Sequence, residues 1–207
     1  MKVLVIDYGM GNLGSVRRAL EECGASNVTI SNSDADFHDC THAILPGVGA
    51  FPDAMKNLKK KNLPEKIQQL AVIDKIPLLG ICLGMQLLAD SSIENEFTEG
   101  LHLIPGSVVQ FSPSGGERIP HIGWNEVHHD HKHEILKNIP SGADFYFVHS
   151  YHLNTTNADH TIGQTPYCGG FASVVALKNI VGTQFHPEKS STVGFALLKN
   201  FLEMNNA

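Results

Sequence analysis

The chain has 207 residues, 42% hydrophobic and 17% charged, with a formal net charge of −6. That composition supplies apolar surface for one sizeable core and excludes a disordered chain, while the acidic balance and the lack of a long Lys/Arg run argue against a nucleic-acid partner. No apolar run approaches the ~18 residues of a membrane span, so no membrane partner is expected.

The first run, KVLVID (2–7), reads as a buried strand, and its apolar stretch ends at Asp7, too early for a signal peptide. GNLGSVRRALEECG follows, with Leu13, Val16, Ala19 and Leu20 at helical spacing and Gly24 as a stop. NVTI (27–30) is a second strand, and HAILPGVGAF (42–51) a third that breaks at Pro46 into a glycine-rich loop. Helices are predicted at 52–60 and 64–73, then a strand in IPLLGI (76–81) and a helix in LGMQLLAD (83–90).

Beyond residue 100 the texture changes. SVVQF (107–111), WNEV (124–127), DFYFVHSY (144–151), FASVVAL (171–177) and IVGTQF (180–185) are short β-rich pieces separated by turns, before a closing helix at 192–204. The order predicts an α/β fold: a mainly parallel central sheet flanked by helices and extended by added antiparallel strands, with no linker dividing the chain.

The four cysteines, Cys23, Cys40, Cys82 and Cys168, form no CxxC pair. Neither a zinc site nor a disulfide framework is indicated, and a reducing, cytoplasmic setting is expected. Cys82 stands out. Gly80-Ile81-Cys82-Leu83-Gly84 has the G-x-nucleophile-x-G form at a strand-to-helix turn. There a side chain at either glycine would clash as strand and helix approach, and the N–H of Leu83 can face a developing oxyanion. The amino end of a helix also favours a thiolate. The bland alternative is a buried core cysteine; the strand–turn–helix context favours the elbow.

A thiol nucleophile needs a base, and twelve histidines make any single one uninformative. HHDHKHE (128–134) lacks metal-ligand spacing and reads as a solvated loop. His149, in YFVHSY, is a packed or pocket histidine. In GTQFHPEKS, His186 follows a strand and Glu188 comes two residues later across Pro187. On an extended segment both project to one side, so Glu188 can orient the imidazole of His186. The alternative is a polar surface turn; an elbow cysteine in the same chain favours the catalytic reading. LPGVGAF (45–51) exposes the backbone N–H groups of Gly47, Val48 and Gly49, suited to a carbonyl oxygen, or forms an ordinary tight turn. GMGNLG (Gly9, Gly11, Gly14) matches a dinucleotide fingerprint, with Asp34 and Asp36 about 20 residues on. The Asp7 carboxylate before the first glycine opposes a phosphate there, and no cofactor is expected.

PGVGAF, LLGICLGMQLL and QFHPEKS, in this order, resemble the class I (triad) glutamine amidotransferases across nearly the whole chain, taken as one domain over 1–207. DYGMGNLGSV, RIPHIGWNEV (118–127) and YFVHSY (146–151) resemble, within that family, the glutaminase subunits that serve imidazole glycerol phosphate synthase in histidine biosynthesis. The resemblance implies a flavodoxin-like architecture. It implies that Cys82 attacks the side-chain amide of L-glutamine, that His186 moves the proton and that Glu188 orients His186. It implies an oxyanion site from Leu83 and the Gly47–Gly49 loop, and contacts to glutamine from Gln86, Glu94 and the backbone of His149, Ser150 and Tyr151. Ammonia would pass to a separate (β/α)8-barrel cyclase subunit in a heterodimer, with Asn12 and Trp124 near that partner.

Two alternatives stay open on sequence grounds. A paralogous glutaminase subunit would supply ammonia for amidino-sugar synthesis, and a non-catalytic subunit would only shape its partner. An intact Cys82, His186 and Glu188 set argues against the second.

Overall fold

The apolar runs of the sequence become the strands of one sheet that is covered on both faces. The computed structural model describes residues 1–113, 115–130 and 132–205. Its strands are β1 (Val3–Ile6), β2 (Val28–Ser31), β3 (His42–Gly47), β4 (Leu78–Cys82), β5 (Ser91–Ser92), β6 (Thr98–Glu99), β7 (Gly106–Gln110), β8 (His121–Val127), β9 (Ala143–His149), β10 (Tyr151–Thr155), β11 (Thr161–Thr165), β12 (Phe171–Leu177) and β13 (Ile180–Thr183). Its α-helices are α1 (Leu13–Glu22), α2 (Asp34–Asp39), α3 (Phe51–Lys60), α4 (Pro64–Gln68), α5 (Leu83–Leu87) and α6 (Ser191–Glu203). Among the described residues no helix is long and apolar enough to cross a membrane.

The main sheet has seven strands in the order β11-β12-β13-β4-β3-β1-β2. The five from β13 to β2 pair in parallel, while β12 and β11 add on antiparallel at one edge. The order 2-1-3-4 followed by a later strand is that of flavodoxin-like, doubly wound sheets. Every residue of β1, β3 and β4 is buried. That is why these strands read as unbroken apolar runs rather than as alternating ones. Along β1, Val3 and Val5 pack with Leu20 of α1 and Phe201 of α6. Leu4 and Ile6 point the other way, toward Met55 and Leu58 of α3. Burying each such aliphatic side chain contributes roughly 1.5–3 kcal/mol.

The structure differs from the sequence expectation in the second half. Only β12 and β11 extend the main sheet. The other added strands form a four-stranded sheet, β10-β7-β5-β6, and a two-stranded ribbon, β8-β9. Within the main sheet every strand but the edge strands β2 and β11 already has two neighbours, so the remaining strands pair mostly among themselves, with one bridge from His128, after β8, to Gln164 of β11. The helix expected at 64–73 divides into α4 and a wider π turn over Gln69–Ile73.

Candidate active site

Cys82 ends β4, the middle strand of the seven, at its carboxyl end. In doubly wound sheets ligands bind outside the carboxyl ends of the strands. Cys82 adopts φ 53° and ψ −110° and is the N-cap of α5. A left-handed φ at a non-glycine residue costs on the order of 1–3 kcal/mol and persists only where the surroundings enforce it. Here three glycines do so. A Cβ on Gly80 would lie 2.7 Å from the Gly84 carbonyl oxygen, one on Gly84 would lie 1.7 Å from the Leu45 carbonyl oxygen, and one on Gly47 would lie 2.9 Å from Leu83 Cβ. Strands β3 and β4 and helix α5 therefore meet backbone to backbone beneath the thiol.

Gly47 is a buried residue of β3, paired across the sheet with Cys82. Its lack of a side chain is needed for packing against Tyr8, Leu83 and Gly84. Val48 and Gly49 are the loop residues that reach the cavity.

That cavity measures about 380 Å³. Its walls include Cys82, Leu83, Gln86, Glu94 and His186, together with His149, Ser150 and Tyr151. Pro120 and Val148 also line it and were not singled out from the sequence. Cys82 is only 6% exposed, so the thiol lies at the base of the cavity rather than on an open edge. A larger and more open hollow of about 610 Å³ lies elsewhere, beside His128, His129, Asp130, Lys132 and His133. His131 of that run lies outside the described residues, and among the described ones no group of His, Cys, Asp or Glu is placed to hold a metal.

His186 Nδ1 is 2.8 Å from Glu188 Oε1, and both side chains are almost fully buried. The contact forms by a different route from the extended segment read from the sequence. His186 is extended, but Pro187–Lys189 is a 3₁₀ turn that carries Glu188 back beneath the ring. The His186 N–H donates to the Tyr146 carbonyl at 3.0 Å, and the Ser190 hydroxyl donates to the His186 carbonyl at 2.6 Å, so the ring's backbone is held on both sides. Burial alone would lower the proton affinity of His186. Hydrogen bonding and negative charge at Cys82 and Glu188 outweigh it, and the pKa is pushed up to about 9. Nε2 is itself buried, and Cys82 lies close enough to it to raise the proton affinity of the ring.

Gln86 is turned by its neighbours. Its Nε2 donates to the Tyr151 carbonyl at 2.8 Å and to Gln184 Oε1 at 3.1 Å. Both amide hydrogens are thus used, and only its oxygen remains to meet a ligand in the cavity. Glu94 Oε2 accepts the Phe51 N–H at 2.8 Å, which caps α3 directly after the Val48–Gly49 loop and leaves a carboxylate on the cavity wall. Leu83 opens α5, where first-turn N–H groups have no helical partner.

Besides Pro120 and Val148, the sequence reading missed three residues around this cavity. Gln184 is fully buried, with Nε2 3.8 Å from Cys82 Sγ. His121 Nδ1 is 3.1 Å from His149 Nε2, and His149 Nδ1 is 2.8 Å from the Tyr151 carbonyl, so the two rings brace the segment that Gln86 also grips. Burial, chiefly, lowers the pKa of His149 to about 3 and that of His121 to about 4. The Tyr8 hydroxyl is buried without a partner beside Gly47, and its pKa is raised by burial and then by Cys82. Only the Gln184 and His121 motifs carried a signal, their adjacency to HPE and to Trp124. In the GMGNLG loop, Asp7 Oδ1 accepts the Gly9 N–H at 2.9 Å, and Asn12 caps α1 by accepting the Ser15 N–H at 3.3 Å. Asn12 and Trp124 lie outside the cavity lining, and Trp124 is 53% exposed.

The described arrangement agrees with what the chain is similar to. The family model described as "Glutamine amidotransferase class-I" matches residues 4–204. The imidazole glycerol phosphate synthase subunit HisH of Methanosarcina acetivorans is 48% identical over 207 residues, covering 98% of each chain. The subunit HisH 2 of Nitrobacter winogradskyi is 44% identical over 210 residues, covering 99% of each. Among solved structures, PurLQS from Thermotoga maritima superposes with a TM-score of 0.71 at 18% identity, covering 98% of this chain and 95% of that one. A glutamine amidotransferase from the same organism gives 0.70 at 18% identity, covering 98% and 96%. These two likenesses speak to the fold.

Proposed function

The chain belongs to the class I glutamine amidotransferases, and from that premise we propose that it is the glutaminase subunit of imidazole glycerol phosphate synthase, acting in histidine biosynthesis. The observation that carries the chemistry is the juxtaposition of Cys82, on its strained turn, with the buried His186–Glu188 pair at a cavity of about 380 Å³. The near full-length HisH relatives favour the histidine pathway over an amidino-sugar paralogue. Residues 1–207 act as one amidotransferase unit.

The reaction follows from the geometry. Glu188 accepts the Nδ1 hydrogen of His186, which turns Nε2 toward the thiol. Nε2 takes the Cys82 proton, and the sulfur electron pair forms a bond to the amide carbon of glutamine. The carbonyl π pair moves to oxygen, where N–H groups of Leu83 and the Val48–Gly49 loop receive the charge. Collapse expels the amide nitrogen, which takes the proton from Nε2 and leaves as ammonia. Water then gives a proton to Nε2 and adds to the thioester, and collapse returns the pair to sulfur, releasing glutamate. The oxygen of Gln86 and the carboxylate of Glu94 are the acceptors available for the substrate's N–H groups.

Ammonia has no use here unless a second active site consumes it. The β8-β9 ribbon offers a docking face: Ile122 and Val148 are cross-strand partners, as are Trp124 and Tyr146, and Ile122 and Trp124 are exposed. Val148 belongs both to this face and to the cavity wall, so a cyclase subunit of (β/α)8-barrel form seated here, also touching Asn12, lies beside the site of ammonia release. Co-purification with the cognate cyclase and assay of imidazole glycerol phosphate formation test this reading. Glutamine-dependent synthesis supports it, as does rescue of a histidine auxotroph by the pair; glutamine hydrolysis without either result favours the amidino-sugar paralogue.

A further inference from the structure

One buried carboxamide is unused by this scheme. Gln184 follows β13, two residues before His186, and is completely shielded from solvent. Its backbone is fixed by donation to the Ser173 carbonyl at 2.9 Å. Its side chain cannot take either orientation freely. The Tyr151 carbonyl can only accept, so Gln86 must present Nε2 to it. The second hydrogen on Gln86 Nε2 then reaches Gln184 Oε1 at 3.1 Å. With its oxygen committed, Gln184 presents an N–H toward Cys82 Sγ, 3.8 Å away.

The sulfur has two unlike neighbours. The Val148 carbonyl, 3.9 Å from Sγ, accepts from the thiol and gains nothing from a thiolate. The Gln184 N–H does the reverse: a bond to an ionised acceptor is about twice as strong as one to a neutral acceptor. We propose that Gln184 is a further catalytic residue, an amide donor held in orientation by the Tyr151–Gln86 chain, which supports the thiolate form of Cys82. The step it serves rests on the glutaminase reading. The sulfur bears charge just before its pair bonds to the amide carbon, and again when thioester collapse returns that pair.

The test does not require glutamine. The isolated chain is treated with iodoacetamide across a pH series, and alkylation of each cysteine peptide is followed by mass spectrometry. In Gln184→Leu, Cys82 alkylation at pH 7 slows about tenfold and its rate–pH profile moves to higher pH, since one charge-assisted hydrogen bond is lost. Rates at Cys23, Cys40 and Cys168 stay as in the wild type and report an intact fold. Should that variant unfold, exposing all four thiols, Gln86→Met serves instead. It frees the Gln184 carboxamide to rotate, and Cys82 slows in the same direction by a smaller factor. An unchanged Cys82 rate and profile in the folded variant overturns the proposal and leaves the glutaminase reading standing. Absence of glutamine hydrolysis by the wild-type complex overturns that reading and leaves the thiol result standing.

Discussion

Replacing Gly84 with alanine tests whether the close approach beneath Cys82 sets the site. The new Cβ would stand 1.7 Å from the Leu45 carbonyl oxygen and 2.8 Å from its carbon. A carbon and a carbonyl oxygen in close contact rest roughly 3.3–3.6 Å apart, so α5 and β3 must separate by ~1.6 Å or more. Ordinary overpacking costs about 1–3 kcal/mol. Here the opposing atoms are backbone of a fully buried strand and cannot rotate aside, so at least about 3 kcal/mol is expected. The same displacement moves Cys82 relative to His186, and an ångström of misplacement costs about 100-fold in rate. The control is Gly14→Ala in α1, where a Cβ meets nothing within 4 Å. There the helix gains about 0.5–1 kcal/mol from the restricted unfolded chain. Urea unfolding of both variants, with glutamate release in the presence of the cyclase, reads the contrast. Gly84→Ala at wild-type stability and rate would show that the three-glycine junction does not hold the elbow.

Other outcomes follow from the buried ionisable groups. The pKa of His186 is raised to about 9, so its contribution to stability is complete below its ordinary value near 6.5 and is lost as pH rises toward 9. His149 and His121 are lowered to about 3 and about 4, so theirs is present above 6.5 and lost as pH falls toward those values. Urea midpoints across pH should peak near 6.5. His186→Gln should flatten the alkaline limb and His121→Gln the acid limb; unchanged slopes in both variants would refute the assignment. Tyr8→Phe removes a hydroxyl that is buried without a partner. It should leave stability unchanged or raise it by about 1 kcal/mol, and a clear loss in urea midpoint would mean that the hydroxyl is bonded in solution.

The alternation of buried runs with amphipathic segments was enough to place the parallel sheet, because β1, β3 and β4 are apolar on both faces. The short strands were harder. HLNT and TIGQT carry little apolar pattern; β10 gains its order from β7, about 40 residues away, and β11 from a bulged hairpin with β12. Helix α2 has six residues and is capped by Ser33, which accepts the Asp36 N–H. Its Asp34 and Asp36 fall at the spacing of a dinucleotide fingerprint, a reading the sequence already disfavoured at Asp7; in the structure Asp34 pairs with Lys66 and Asp36 accepts from the Ser33 hydroxyl. The elbow and HPE motifs were legible because each needs residues adjacent in the chain. Gln184, His121 and Tyr8 were not, since their importance arises from contacts with Cys82, His149 and Gly47, each at least 28 residues away.

The central claim is that Cys82 is the nucleophile toward glutamine, and its most direct measurement is covalent labelling. The complex of chain and cyclase is incubated with an electrophilic glutamine analogue, and the peptides are weighed. The account predicts a single adduct on Cys82, suppressed by excess glutamine and absent in His186→Gln, with Cys23, Cys40 and Cys168 unmodified. Labelling spread over the other cysteines, or an adduct on Cys82 that glutamine does not suppress, would contradict it.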